Sequence, residues 1–195
     1  MTRMIRGETP KRLFSEVDLR NFIRSERERM LQKVDAYESQ YVLSLNTDAV
    51  CEELYKKYEH KSPTLRTDGI YIKDSGERDK GTFVTFAVPF EGDPYLFSLR
   101  PSTFYPNVIH GTIGEEELLL SYFRTDHDPE AIKAEFKNDI QTVQQNLESV
   151  AKDISPYNAE IKQVALKRIQ TRREKLQKDQ KMVEALGFPT KKPNK

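Results

Sequence analysis

From Asp128 onward the chain places an apolar residue every three or four positions: Ile132, Phe136, Ile140, Val143, Leu147, Val150, Ile154, Tyr157, Ile161 and Val164. That spacing keeps one stripe of a 3.6-residue helix apolar, the seam of a helix that lies against another. Its start is marked by Asp128-Pro129-Glu130, which supplies an N-cap, a proline at the first helical position and an acid in the first turn. Gly187-Phe188-Pro189 marks its stop. Ser155-Pro156 interrupts it, and two readings stand there: a new helix turning back as a hairpin, or one kinked, roughly collinear helix. At 100° per residue, Tyr157, Ile161 and Ala165 fall within about 60° of Ile154, so the seam keeps its phase through the proline.

A second helical pattern precedes it. Ser15 with Asp18 three positions on predicts a capped start, and Leu19, Ile23, Met30, Val34, Tyr37 and Tyr41 carry a heptad spacing. After a break at Asn46-Thr47, apolar positions at Val50, Cys51, Leu54, Tyr55 and Tyr58 predict a further helix that Pro63 ends. Between residues 65 and 125 the period changes to alternation. Val84, Phe86, Val88 and Phe90 point one way; a turn at Glu91-Gly92-Asp93-Pro94 leads to Tyr95, Phe97 and Leu99; Val108 to Ile113 and Leu118, Leu120, Tyr122 follow. With a weaker run at Ile70 to Lys73, this predicts an α+β fold: an antiparallel meander sheet of four to five strands flanked by long coiled-coil-like helices. The expected divisions are a basic arm over 1–14, tacked down by Leu13 and Phe14, and an α+β domain over 15–154 (helices 15–59, sheet 65–125, helix 128–154). A basic C-terminal helix over 155–186 and a tail over 187–195 complete them.

Charge changes this picture at one end only. The 195 residues carry a net charge of +1, but residues 160 to 195 hold 11 Lys and Arg against 4 Asp and Glu, a local +7 that leaves −6 for the rest. Lys167, Arg168, Arg172, Arg173 and Lys175 are therefore candidate phosphate contacts, with a solvated helix surface as the plainer reading. The single cysteine, Cys51, excludes an internal disulfide and fits a reducing, cytoplasmic setting. No apolar run is long enough to suggest a membrane span.

Candidate chemistry is sparse. No glycine-rich phosphate loop, nucleophile elbow, paired-cysteine motif or His-Glu-x-x-His occurs, so no cofactor or metal is expected and the balance leans away from an enzyme. Asp126-His127-Asp128 reads as a loop and cap, and the Glu115-Glu116-Glu117 cluster as a solvated turn. The sheet aromatics read first as core. Arg100, His110 and Glu115, around the irregular stretch Arg100 to Asn107, are the candidate pocket.

The run Glu174 to Pro189, following Ala165 to Arg173, resembles a segment of uncharacterised bacterial multidomain proteins of the antiviral-defence type. In those, a similar helical region joins an N-terminal αβ module to a C-terminal effector. The resemblance covers about 60 residues, implies no catalytic residue, and implies that this chain is the sensing or assembly part, a shortened form of such a protein, or a stand-alone subunit.

The leading expectation is thus a non-enzymatic protein-interaction, oligomerisation or sensor module. Its interaction seam would be Ile132, Phe136, Ile140, Val143, Leu147, Val150 and Ile154, buried against the first helix or against another copy or partner protein. Nucleic-acid binding by the basic end is the alternative, and an enzyme without a familiar motif is the second alternative.

Overall fold

A computed structural model of the protein describes residues 9–78 and 80–188. Most of the 1–14 arm and of the 187–195 tail, residues 1–8 and 189–195, lies outside the described residues. The fold is α+β, and the chain divides into two units. One comprises the residues up to Ile23 together with His60–Pro156; the other comprises Arg24–Glu59 together with the chain from Tyr157 onward. The helices expected over 15–59 are thus redistributed, most of them grouping with the end of the chain.

The first unit is an antiparallel sheet under a helix. Its strands are β1 (Lys11–Arg12), β3 (Thr64–Leu65), β4 (Tyr71–Arg78), β5 (Gly81–Glu91), β7 (His110–Ile113) and β8 (Glu117–Arg124), with β2 (Val17–Asp18) and β6 (Leu99–Arg100) forming a separate parallel pair. The sheet order is β1-β7-β8-β5-β3, and β4 also pairs with β5. Hairpins β4–β5 and β7–β8 are local, while β8 lies beside β5 because residues 94–109 leave the sheet between them. Tyr95 and Phe97, expected in a strand, sit in a 3-10 turn over Pro94–Ser98. The fixed φ of Pro94 and the Asp93 carboxylate, which accepts from the Tyr95 amide at 3.0 Å, account for the turn.

Even-numbered residues of β5 and β8 face inward, and Val88, Phe90, Leu118, Leu120 and Tyr122 are buried there. Over them lies the part of α4 (Pro129–Ala185) up to Ile154; its Asp128 cap accepts from the amides of Glu130 and Ala131 at 2.9 and 3.2 Å. Leu13 and Phe14 are buried, and the Phe14 amide donates to the Phe97 carbonyl at 2.6 Å. One correction concerns the start of α1 (Leu19–Asp35): Ser15 is no helix cap. Its hydroxyl turns back to the Arg12 carbonyl at 2.8 Å, residues 17–18 pair with β6, and Asp18 accepts from the Arg20 amide instead.

The second unit is helical. Its elements are α1 from Arg24, α2 (Ser39–Ser44), α3 (Thr47–Tyr58) and α4 from Tyr157. Met30, Val34, Val42, Leu54, Tyr157, Ile161, Ala165 and Ile169 are all buried. Asn46 caps α3, accepting from the Ala49 amide at 3.2 Å. At Pro156 the hairpin reading fails, because α4 is unbroken. Pro156 is exposed while Ile154 and Tyr157 on either side are buried, so the ring's clash and lost hydrogen bond fall on the solvent face. The Tyr157 hydroxyl donates to the Tyr58 carbonyl at 3.1 Å, which anchors the turn after it.

Candidate functional site

The seven seam residues from Ile132 to Ile154 are all buried inside the chain's own core. What covers them corrects the sequence reading. It is the inner face of the sheet, joined by Leu19, Phe22 and Ile23 of the first turns of α1, rather than the length of a helix. The four from Val143 to Ile154, 0–4% exposed, are filled by the chain itself and are not free to join two chains.

The basic residues are likewise engaged. The Arg172 guanidinium donates to the carbonyls of Val34 at 2.5 Å and Tyr37 at 2.9 Å, closing the end of α1. Arg173 donates to the carbonyls of Val42 and Leu45, both at 3.0 Å, closing α2. Arg168 makes a two-pronged pair with Asp35, at 2.7 and 2.6 Å, and holds that carboxyl below the usual range. The fork that would grip a phosphate here grips helix-end carbonyls, which carry partial negative charge. Lys167 and Lys175 remain exposed.

The candidate pocket is not assembled. Arg100 is exposed and pairs with Asp18 at 3.7 Å. His110 is exposed on β7 opposite Arg12, Glu115 lies in the turn before β8, and none of the three lines a described cavity. Among the described residues no group of three or more His, Cys, Asp or Glu side chains is placed to hold a metal ion. No described helix is long and apolar enough to cross a membrane. Of the sheet aromatics, Phe90, Phe97 and Tyr122 are core, whereas Tyr95, Tyr105 and Phe123 are exposed.

A different feature stands out. Along one side of α4 runs an apolar groove of about 590 Å³. Its sheet wall is Ile70 and Ile72 at the start of β4 with Val84 and Phe86 of β5; its helix wall is Ile132, Phe136 and Ile140. The floor is aromatic. Phe86 stacks on Phe136 with centroids 4.1 Å apart, and Tyr122 meets both rings edge-on at 5.9 and 6.2 Å. The Tyr122 hydroxyl donates to Asp139 at 2.9 Å. Burial, helped by that carboxylate, pushes the phenol well above its ordinary value, and burial also raises Asp139.

Local sequence explains why this strip is left open. Ile72 pairs with Phe86 and so belongs to the inner face, yet it is 58% exposed. Tyr71 and Lys73 both donate to the Glu117 carboxylate at 2.5 Å and hold it below its usual range, and the bulge between Ile72 and Asp74 then sets polar Ser75, not an apolar residue, opposite Val84. The opposite flank of α4 is filled. Asp153 accepts from the Ser102 amide and hydroxyl at 2.7 Å, Asn146 from the Tyr105 amide at 3.0 Å, and Thr142 from the Asn107 amide group at 3.1 Å. These short polar residues pin the irregular stretch after Arg100 onto the helix. The groove flank carries Lys133, Lys137, Gln141 and Gln144 instead, all exposed.

Sequence reasoning named the helix wall but not the groove. Two signals could have found it: the consecutive apolar run Ile70-Tyr71-Ile72 opening an otherwise charged strand, and the long polar stripe at 133, 137, 141 and 144 beside the seam. Comparisons with protein-family models, curated proteins and solved structures gave no match.

Proposed function

We propose that this protein is a protein-interaction module whose groove between β4–β5 and α4 receives an apolar segment of a partner protein, in a reducing, cytoplasmic setting. The observation that carries the reading is Ile72. It is more than half exposed on a sheet face whose more central members, Val88, Leu118 and Leu120, are core, and it pairs with Phe86, which stacks on Phe136. Each aliphatic or aromatic anchor fully buried there would contribute about 1.5–3 kcal/mol before the cost of association.

The test is a titration of the isotope-labelled full chain with amphipathic helical peptides of about fifteen residues, carrying acidic, neutral or basic polar faces. Amide shifts should concentrate at residues 70–72, 84–86 and 129–144 for at least one peptide and vanish in Ile72→Asp. If no peptide moves those amides, the reading is wrong.

A further inference from the structure

Resting on that docking reading, we infer that the groove takes an acidic amphipathic α-helix of a partner protein, laid alongside α4. Length comes first. The groove follows α4 from Pro129 to Gln144, and at about 1.5 Å per residue that is roughly 22 Å, or four turns of a second helix. Layering comes next. One helix covers the inner face of this sheet and leaves the strip at Ile72, Val84 and Phe86 incompletely covered; a helix packed 8–10 Å from α4, the usual interaxial spacing, would lie over it.

An added strand fits less well than a helix. Among the described residues β4 pairs with β5 alone, but its edge carries Lys73, Asp74, Glu77 and Arg78 and is broken by the bulge after Ile72. Edge charges and bulges are the devices that discourage strand addition. The groove walls, moreover, are side chains rather than open backbone.

Charge fixes the partner's sign. Among the described residues, the charged side chains that line the groove are both lysines, Lys133 and Lys137, one turn apart. Glu130 shares Lys133 at 3.8 Å, and Gln141 and Gln144 extend the same rim with amide donors. Acids spaced four apart on a partner helix would meet the lysines in step, since both helices share one period.

The experiment uses the full chain and three labelled peptides of about fifteen residues with one leucine face, their polar positions filled by Glu, Gln or Lys, followed by fluorescence anisotropy. The Glu peptide should bind about tenfold tighter than the Lys peptide at low ionic strength, with the gap narrowing as salt is added. Lys133→Glu with Lys137→Glu, both at exposed positions, should reverse the order while the circular dichroism spectrum is unchanged. Ile72→Asp should weaken the Glu peptide at least tenfold. Equal affinity for Glu and Lys peptides, both lost in Ile72→Asp, overturns the acidic partner and leaves the docking reading standing. Insensitivity of every peptide to Ile72→Asp overturns both. Saturable binding of oleate with no peptide binding assigns the groove to a small amphiphile and overturns both as well.

Discussion

Replacing Arg172 by Met should destabilise the protein, although the residue lies in the most basic and most exposed part of the chain. Its guanidinium makes two hydrogen bonds, to the carbonyls of Val34 and Tyr37, at the end of α1. A hydrogen bond to a charged group contributes about 1.5–3 kcal/mol, and the part-buried setting with water able to re-enter argues for the lower end, so the pair should be worth about 3 kcal/mol in all. With a urea slope of about 2 kcal/mol/M, the unfolding midpoint should fall by about 1.5 M at constant slope. Arg172→Lys should recover less than half of this, because one ammonium cannot span two carbonyls as a planar fork does. Arg173→Met should behave alike through Val42 and Leu45. Lys167→Met and Lys175→Met, at exposed positions, should stay within about 0.5 kcal/mol. Far-ultraviolet circular dichroism during urea titration measures all of them. A midpoint for Arg172→Met equal to that of Lys167→Met, together with a salt-dependent loss of DNA affinity, would refute the argument and restore a phosphate role.

Leu147→Asp, and Ile140→Asp with it, should abolish folding of the sheet unit rather than separate an oligomer, since each puts an unpaired charge among side chains 4–7% exposed; a folded, thermally cooperative variant of altered mass in light scattering would contradict this. Asp139→Asn should raise stability at pH 7 and lose that advantage in acid. Burial lifts the native carboxyl above its usual 3.8, so the wild-type residue favours the fold only when protonated; that contribution is full below the unfolded value and fades as pH rises through the folded one. The amide still accepts from Tyr122, and denaturant midpoints measured at both pH values decide it.

Local chemistry was legible in the sequence wherever nothing distant competed with it. Asp128-Pro129-Glu130 starts α4, and the last helix ends at Ala185 with Gly187 at φ +69°, because cap and stop act over three or four residues. Ser15-x-x-Asp18 has the same local form and failed. Residues 17–18 pair in parallel with Leu99–Arg100, more than eighty positions away, and that pairing moves the helix start to Leu19. Tyr95, Phe97 and Leu99 alternate like a strand, yet Leu96 is as buried as Phe97, which a 3-10 turn permits and a strand on a one-sided sheet does not. Arg172 and Arg173 were legible as cations but not as caps, since a guanidinium donates equally to a phosphate and to a carbonyl.

The heptad seam carries a related lesson: periodicity reports that a stripe is buried and is silent about its cover. Ile132 to Ile154 lie under a sheet and Tyr157 to Ile169 lie in a helical unit, with one spacing throughout. The flanks of the stripe are more informative than the stripe. On one side α4 presents Asp139, Thr142, Asn146 and Asp153, short side chains whose polar atoms stand close to the helix and draw backbone or a phenol against it. On the other it presents Lys133, Lys137, Gln141 and Gln144, long side chains that hold backbone away and reach outward. Seam residues level with the second flank, Ile132, Phe136 and Ile140, keep 5–9% exposure, whereas Val143, Leu147, Val150 and Ile154 keep 0–4%. Side-chain length beside a seam therefore separates a flank the chain closes upon from one it leaves open, and in this protein the open one is where a second helix has room to lie.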